Sequence, residues 1–276
     1  NYMSFGYPTT LIINQSTLTE NIADYGGAID NYYSNVDITQ STFTQNTAKR
    51  DGGAIWSEGL FVTLTQSTLT QNTAERYGGA IRNDLCYLTI TQSTLTQNTA
   101  IDGGAIHNTG YLTLTQSTLT QNTANSYGGA ILNWGTATIT HSRIIGNTGI
   151  DVYRNDGTVN AAFNWWGSNF LGTDPISESR ANSGVIVDPW VILTVNATPD
   201  TINNGETSTI TADFNHINGG GDLVGGHIPP GRVQLDIHSW GNFINPGTLQ
   251  TIMLDTVNGA TIPIIFYANG GQPTPT

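Results

Sequence analysis

The chain has 276 residues, 20 Asp and Glu against 8 Lys and Arg, a formal charge of −12 and a pI near 4.4. Too few cations are present to neutralise a run of phosphates, so nucleic-acid binding is excluded, as is a basic patch for an anionic membrane. The single cysteine, Cys86, excludes an internal disulfide, and no apolar run is long enough for a membrane-crossing helix.

Residues 1–25 begin inside a repeat. Leu11-Ile12-Ile13 and the stretch from Ser16 to Asn21 match later strands, but the Gly-Gly-Ala-Ile phrase that precedes them in every other copy is missing. From there the phrase begins at Gly26, Gly52, Gly78, Gly103 and Gly128, at intervals of 26, 26, 25 and 25 residues. A fixed period of this length means a solenoid, in which each copy is one coil stacked on the next. Within a copy, Leu88 to Asn98 alternates apolar and polar residues with period two, the pattern of strands with one buried face. Gly-Gly-Ala-Ile reads as a further short strand after a tight corner. The coil is therefore expected to have three strands and three corners, about 25 residues per coil, in an all-β, right-handed parallel β-helix. A leucine-rich-repeat horseshoe would need a Leu-x-x-Leu-x-Leu phrase and a helical leg, and neither occurs.

Stacking predicts three interior columns: Ile29 to Ile131 through the Gly-Gly-Ala-Ile copies, Leu18 to Ile144, and Ile13 to Ile139. The corner asparagines, from Asn21 to Asn147, are placed to hydrogen-bond between coils. The residue before the paired glycines alternates Tyr25, Asp51, Tyr77, Asp102, Tyr127, which keeps carboxylates off adjacent coils. The residue after Gly-Gly-Ala-Ile runs Asp30, Trp56, Arg82, His107, Leu132 and is expected to point outward. Its variability makes Trp56, Arg82 and His107 the candidate ligand-binding stripe, suited to a sugar or a protein, against the plainer reading of drift on a solvated face. Phe163, Trp165 and Trp166 close the repeats and are expected to cap the last layer. Residues 1–170 form this first domain, 171–189 read as a Gly-, Pro-, Ser- and Asp-rich linker, and 190–276 alternate as five strands of a small sandwich. Its last residues carry two prolines, so it is expected to lack a final strand. Two edges are candidates for assembly: Leu11, Ile12 and Ile13 at the start, and Ile264 and Phe266 near the end.

The pairing of Gly-Gly-Ala-Ile with strands such as Phe43-Thr44-Gln45-Asn46 resembles the repeats of polymorphic outer-membrane proteins and related adhesins. Together with Asn164-Trp165-Trp166-Gly167, Pro189-Trp190 and Thr201-Ile202-Asn203-Asn204-Gly205, it is similar to the adhesin-like surface proteins of methanogenic archaea. That resemblance implies a β-helix followed by a bacterial-type Ig-like domain and an extracellular place on the cell surface; the repeats, the absence of charge clusters and the Ig-like tail point to a non-enzymatic structural or adhesive protein. The partners it implies are a cell-surface glycan or protein, or identical subunits assembling by strand addition. The chain itself then reads as an excised piece of a longer protein or as a polymerising subunit.

The competing class is a β-helix polysaccharide lyase or hydrolase, which needs paired carboxylates beside a groove. Asp30, Glu58 and Asp84 come closest and are read as falling in different columns, so no catalytic residue is assigned. The five histidines and Cys86 show no metal-ligand spacing, no cofactor is called for, and the loop Asn155-Asp156-Gly157 is read as a turn. His141 and Ser142 adjoin but should face opposite sides. Asn14 and Asn196 begin N-x-Ser/Thr acceptor triplets.

Overall fold

The computed structural model describes residues 9–170, 172–201, 206–238, 249–257, 260–261 and 264–267. They contain strands and turns and no helix, and they divide into two compact units, 1–190 and 191–276.

The first unit is a parallel β-solenoid. Each coil has four strands where three were expected, as in Ile81–Asp84, Tyr87–Thr91, Thr94–Thr96 and Thr99–Asp102. Successive coils stack these into four parallel sheets, here called the glycine face, the long face, the short face and the return face. The return strand is the one the sequence hid. Its inward residues are alanines, Ala48, Ala74 and Ala100, which form a small cluster of their own. An alanine between polar neighbours gives almost no hydrophobic alternation to read.

The three expected columns are in place. Ile55, Ile81 and Ile106 are Cα partners on adjacent coils, as are Phe43, Leu69 and Leu95, and Leu64, Ile90 and Leu114, and all are buried. A fourth column, Val36, Val62, Leu88 and Leu112, fills the rest of the long face.

The phrase Thr-Gln-Ser-Thr-Leu-Thr-Gln-Asn encodes two corners. At each, Gln takes the left-handed conformation, with φ of 49° at Gln92 and 57° at Gln97. That turn aims the next side chain inward, where it bonds to the coil above. Asn46 Nδ2 donates to Asn72 Oδ1 at 2.9 Å, Asn72 to Asn98 at 3.0 Å and Asn98 to Asn122 at 2.9 Å, and each second amide hydrogen goes to a backbone carbonyl of the coil below. The serine corners repeat the device: Ser67 N donates to Ser93 Oγ and Ser93 N to Ser117 Oγ, both at 3.1 Å. Buried polar corners are thus satisfied from coil to coil, which fixes the register of the stack.

The far end closes with more than the predicted aromatics. Trp166 is fully buried in the core and Trp165 nearly so, while Phe163 stacks on His141 with ring centroids 5.7 Å apart. Of the stretch 171–189, expected as a linker, the described residues 172–189 include part of the closure. Ala181, Val185 and Val187 join the core cluster, and Val185–Ile186 adds an eighth strand to the long face. With Trp166 and Phe170, these three apolar residues of a turn-rich stretch cover the last layer. At the other end, Thr10–Asn14 pairs with Asn35–Thr39; Leu11 and Ile12 are 45% and 72% exposed, whereas Ile13 rests against the core.

In the second unit, Val191–Thr198 pairs antiparallel with Thr207–Ile217, and Arg232–His238 with Leu249–Val257. Ala260–Thr261 joins the two pairs, and Ile264–Tyr267 lies on Thr207–Ile217, with Ile264 opposite Ile210 and Phe266 opposite Ser208. The last nine residues, including the two closing prolines, lie outside the described residues.

Candidate surface groove

The outward column after Gly-Gly-Ala-Ile does not lie open along its length. Trp56 and Arg82 are half-buried, but His107 and Leu132 are only 5% and 3% exposed. The cause is the alternating column beside it. Each tyrosine of that column leans over the outward residue of the next coil: Tyr25 on Trp56 at 5.6 Å, Tyr77 on His107 at 4.8 Å, Tyr127 on Tyr153 at 4.7 Å between ring centroids. The aspartates between them bind across coils. Asp51 accepts from Arg76 Nη2 at 2.9 Å, and Asp102 Oδ1 accepts from the backbone N–H of Tyr127 at 3.1 Å. Burial pushes the Asp51 carboxyl up, while the Arg76 and Arg82 guanidinium groups pull it partly back. The alternation therefore spaces carboxylates and also roofs the neighbouring column with rings.

Between these roofs runs a groove of ≈ 320 Å³. His107 and Leu132 form its floor, Tyr77, Tyr127 and Trp134 its walls, and Arg82, Asp102 and Asn155 supply polar groups. Arg82 is held from several sides. Its Nη2 donates to Asp84 Oδ1 at 3.0 Å, its Nη1 meets His107 Nδ1, and its Cζ lies 5.5 Å from the centre of the Tyr77 ring. Thr109 Oγ1 donates to the same Asp84 oxygen at 2.7 Å. Burial, and then the Arg82 charge, push the His107 pKa down to about 3, so the imidazole is neutral at ordinary pH. The site offers a fixed cation, a neutral ring floor and two half-exposed aromatic walls, Tyr127 and Trp134, at 49% and 48% exposure. That combination suits a hydroxyl-rich ring, which stacks on aromatic faces and accepts from a guanidinium.

Of the expected stripe, Arg82 and His107 meet here, while Trp56 lies one coil away against Tyr25 and Tyr32. Trp134, Tyr127 and Asn155 were missed. Trp134 and Asn155 stand in corners after the glycine-face strand, where the repeat imposes no residue. The reading of the carboxylates changes. Glu58 and Asp84 share a column as Cα partners on adjacent coils, but the Asp84 carboxylate is engaged by Arg82 and Thr109. Cys86 is fully buried, its Sγ 3.3 Å from Ser57 Oγ. Among the described residues, no three His, Cys, Asp or Glu side chains come together as metal ligands.

Two buried groups give the stack an opposed pH response. His107 has a folded pKa of about 3, below the unfolded value near 6.5, so its contribution is complete above pH 6.5 and is lost as pH falls towards 3. Asp151, where the asparagine ladder ends, is fully buried; desolvation raises its pKa to about 6 against the pull of Asn147 and Arg180. Its contribution is complete below pH 4 and is lost as pH rises through 6. Between about pH 4 and 6 the two slopes oppose one another at roughly 1.4 kcal/mol per pH unit each. Denaturant titrations across this window should show a shallow profile for the parent, a fall with acid for Asp151→Asn, and the reverse slope for His107→Asn. Identical slopes in all three would remove both groups from the account.

Residues 40–58 and 116–133 match the Chlamydia polymorphic membrane protein (Chlamydia_PMP) repeat. Each match runs from a serine corner, through the short-face and return strands, into the glycine-face strand. No curated protein and no solved structure matches the chain. Repeats of this kind on a β-solenoid fit a surface, adhesin-like protein.

Proposed function

We propose that the protein is an extracellular, non-enzymatic cell-surface adhesin that presents a ligand groove on a rigid, right-handed solenoid. The observation that carries this reading is the groove itself. Arg82 is fixed by Asp84, His107 and Tyr77 before any ligand arrives, so little ordering cost remains on binding. Its partner is a cell-surface glycan, with a protein as the second choice. Archaeal surface proteins provide the family context, and the antiparallel strands of 191–276 serve as an Ig-like spacer. The exposed Leu11 and Ile12 beside a paired strand support assembly by strand addition, into a filament or within a longer adhesin.

A glycan array probed with the whole chain tests the groove. Trp134→Ala should weaken the best hit roughly tenfold, the worth of about 1.4 kcal/mol from one aromatic contact, with unchanged melting. Arg82→Ala should weaken it further, because the guanidinium is the fixed donor. Binding indifferent to both changes would place recognition elsewhere.

A further inference from the structure

We propose that the short face of the solenoid binds ice, its ligand being the ordered oxygen lattice of a crystal face and not a dissolved molecule. The face is a two-dimensional array of one group. On five successive coils the short strand reads Thr-Leu-Thr or Thr-Phe-Thr, from Thr17 and Thr19 to Thr118 and Thr120, each pair in register with the next. The residue between the threonines is inward, packed or buried in the core, so both threonines of every pair point out. Like hydroxyls therefore recur about 4.8 Å apart across the coils and about 6.8 Å apart along each strand. Oxygen atoms on the prism faces of hexagonal ice repeat at a closely similar pair of lengths.

Three further properties favour a lattice over a solute. The pairings of this sheet carry no register shift, so the rows stay straight. Threonine is branched at Cβ and stiff about χ1, so each hydroxyl and methyl is held in place before binding. The array carries no charge over the five coils, and a charge would organise water about itself. The bordering corner is also tied down: Gln15 Nε2 donates to Gln40 Oε1 at 3.1 Å, Gln40 to Gln66 at 3.3 Å and Gln66 to Gln92 at 3.3 Å. A dissolved sugar needs different groups at different places. A surface with the same group at every point recognises a repeat, with many weak contacts acting together. The long face is not equivalent, since Asp37 enters its threonine column and the stacked rings of Phe61, Tyr87 and Tyr111 rise along its border.

The test is growth of a single ice crystal in a solution of the whole chain, watched in a nanolitre osmometer. Faceted crystals and a gap between melting and freezing temperatures are expected. Thr94→Tyr, a tall side chain on the fourth of the five coils, should abolish the gap, and Thr89→Tyr on the long face should keep it. Thr70→Lys should also abolish it, and circular-dichroism melting establishes that each variant is folded. Trp134→Ala should leave the gap intact, which separates this inference from the groove. Round, unfaceted crystals at the solubility limit would overturn the proposal, as would full activity in folded Thr94→Tyr. Adsorption to microcrystalline cellulose without any effect on ice would overturn it too, by making the face a reader of sugar lattices.

Discussion

Ile81→Asp should abolish cooperative melting of the solenoid. Ile81 is 1% exposed and sits between Ile55 and Ile106 on the coils below and above. A carboxylate there has no cation and no donor within the column, and it also removes a fully packed aliphatic side chain. The two costs together are on the order of 5 kcal/mol or more, comparable to the whole stability of many domains. In a stack where each coil touches only its neighbours, damage at a central coil divides the array into two shorter ones. The melting curve should therefore lose its single steep transition and begin well below that of the parent. Ile81→Val, which keeps the column apolar, should cost only about 1 kcal/mol and preserve one transition. A melting curve for Ile81→Asp that overlays the parent would place the column outside the core.

Gly79→Ala should be as damaging although it adds a single methyl group. A Cβ at this position would lie 2.1 Å from the carbonyl oxygen of Gly104 and 2.6 Å from the backbone nitrogen of Thr99. Both contacts are backbone, so no side chain can swing aside. Relief requires the coils to separate, against the bonds from Gly79 N to Gly103 O at 3.1 Å and from Ala80 N to Ala105 O at 3.0 Å. The same approach recurs at Gly53 and Gly104, which explains the second glycine of the phrase. The first glycine is needed for another reason: Gly78 has φ of +67°. Gly149 makes the control. It too has positive φ, 69°, but a Cβ there meets nothing within 4 Å, so Gly149→Ala should cost only about 1–2 kcal/mol. Equal melting losses in the two variants would show that conformation and not coil spacing limits the phrase.

The fold was legible where a residue type is forced on every coil. Ile in the glycine phrase, Leu or Phe between threonines and Asn at the corner each occupy a position with one physical solution, so spacing alone revealed the columns. The return strand was not legible, because its inward Ala48, Ala74 and Ala100 carry too little hydrophobicity to mark a period. The stretch 171–189 misled in the same way: Ala181, Val185 and Val187 are few among glycines and serines, yet they join Trp166 and Phe170 in the last layer. The groove was half visible. Arg82 and His107 stand at a variable position of a regular strand, which is a readable signal. Trp134 and Asn155 come from corners, and only the stacked coils bring them beside Arg82. Exposure misled as well, since strand alternation gives direction but not what leans over from the next sheet; Tyr77 and Tyr127 decided that.

The asparagine ladder has a sense. Every amide in it donates from one coil to the oxygen of the next, Asn21 to Asn46 and onward, and the serine corners run the same way. Oxygen at the far end receives the last donors: Asp151 Oδ1 takes Asn147 Nδ2 at 2.8 Å, and Asn164 Oδ1 takes Ser142 N at 2.9 Å. At the other end the ladder begins with Asn21, whose Nδ2 donates onward to Asn46 Oδ1 at 2.8 Å. The stack is thus polar like a magnet. Two copies meeting by like ends would run their ladders in opposite senses, and a unit continues the side-chain ladder before the first coil only by donating to it. Any array continued coil upon coil must carry every unit pointing the same way, and so has a leading and a trailing tip.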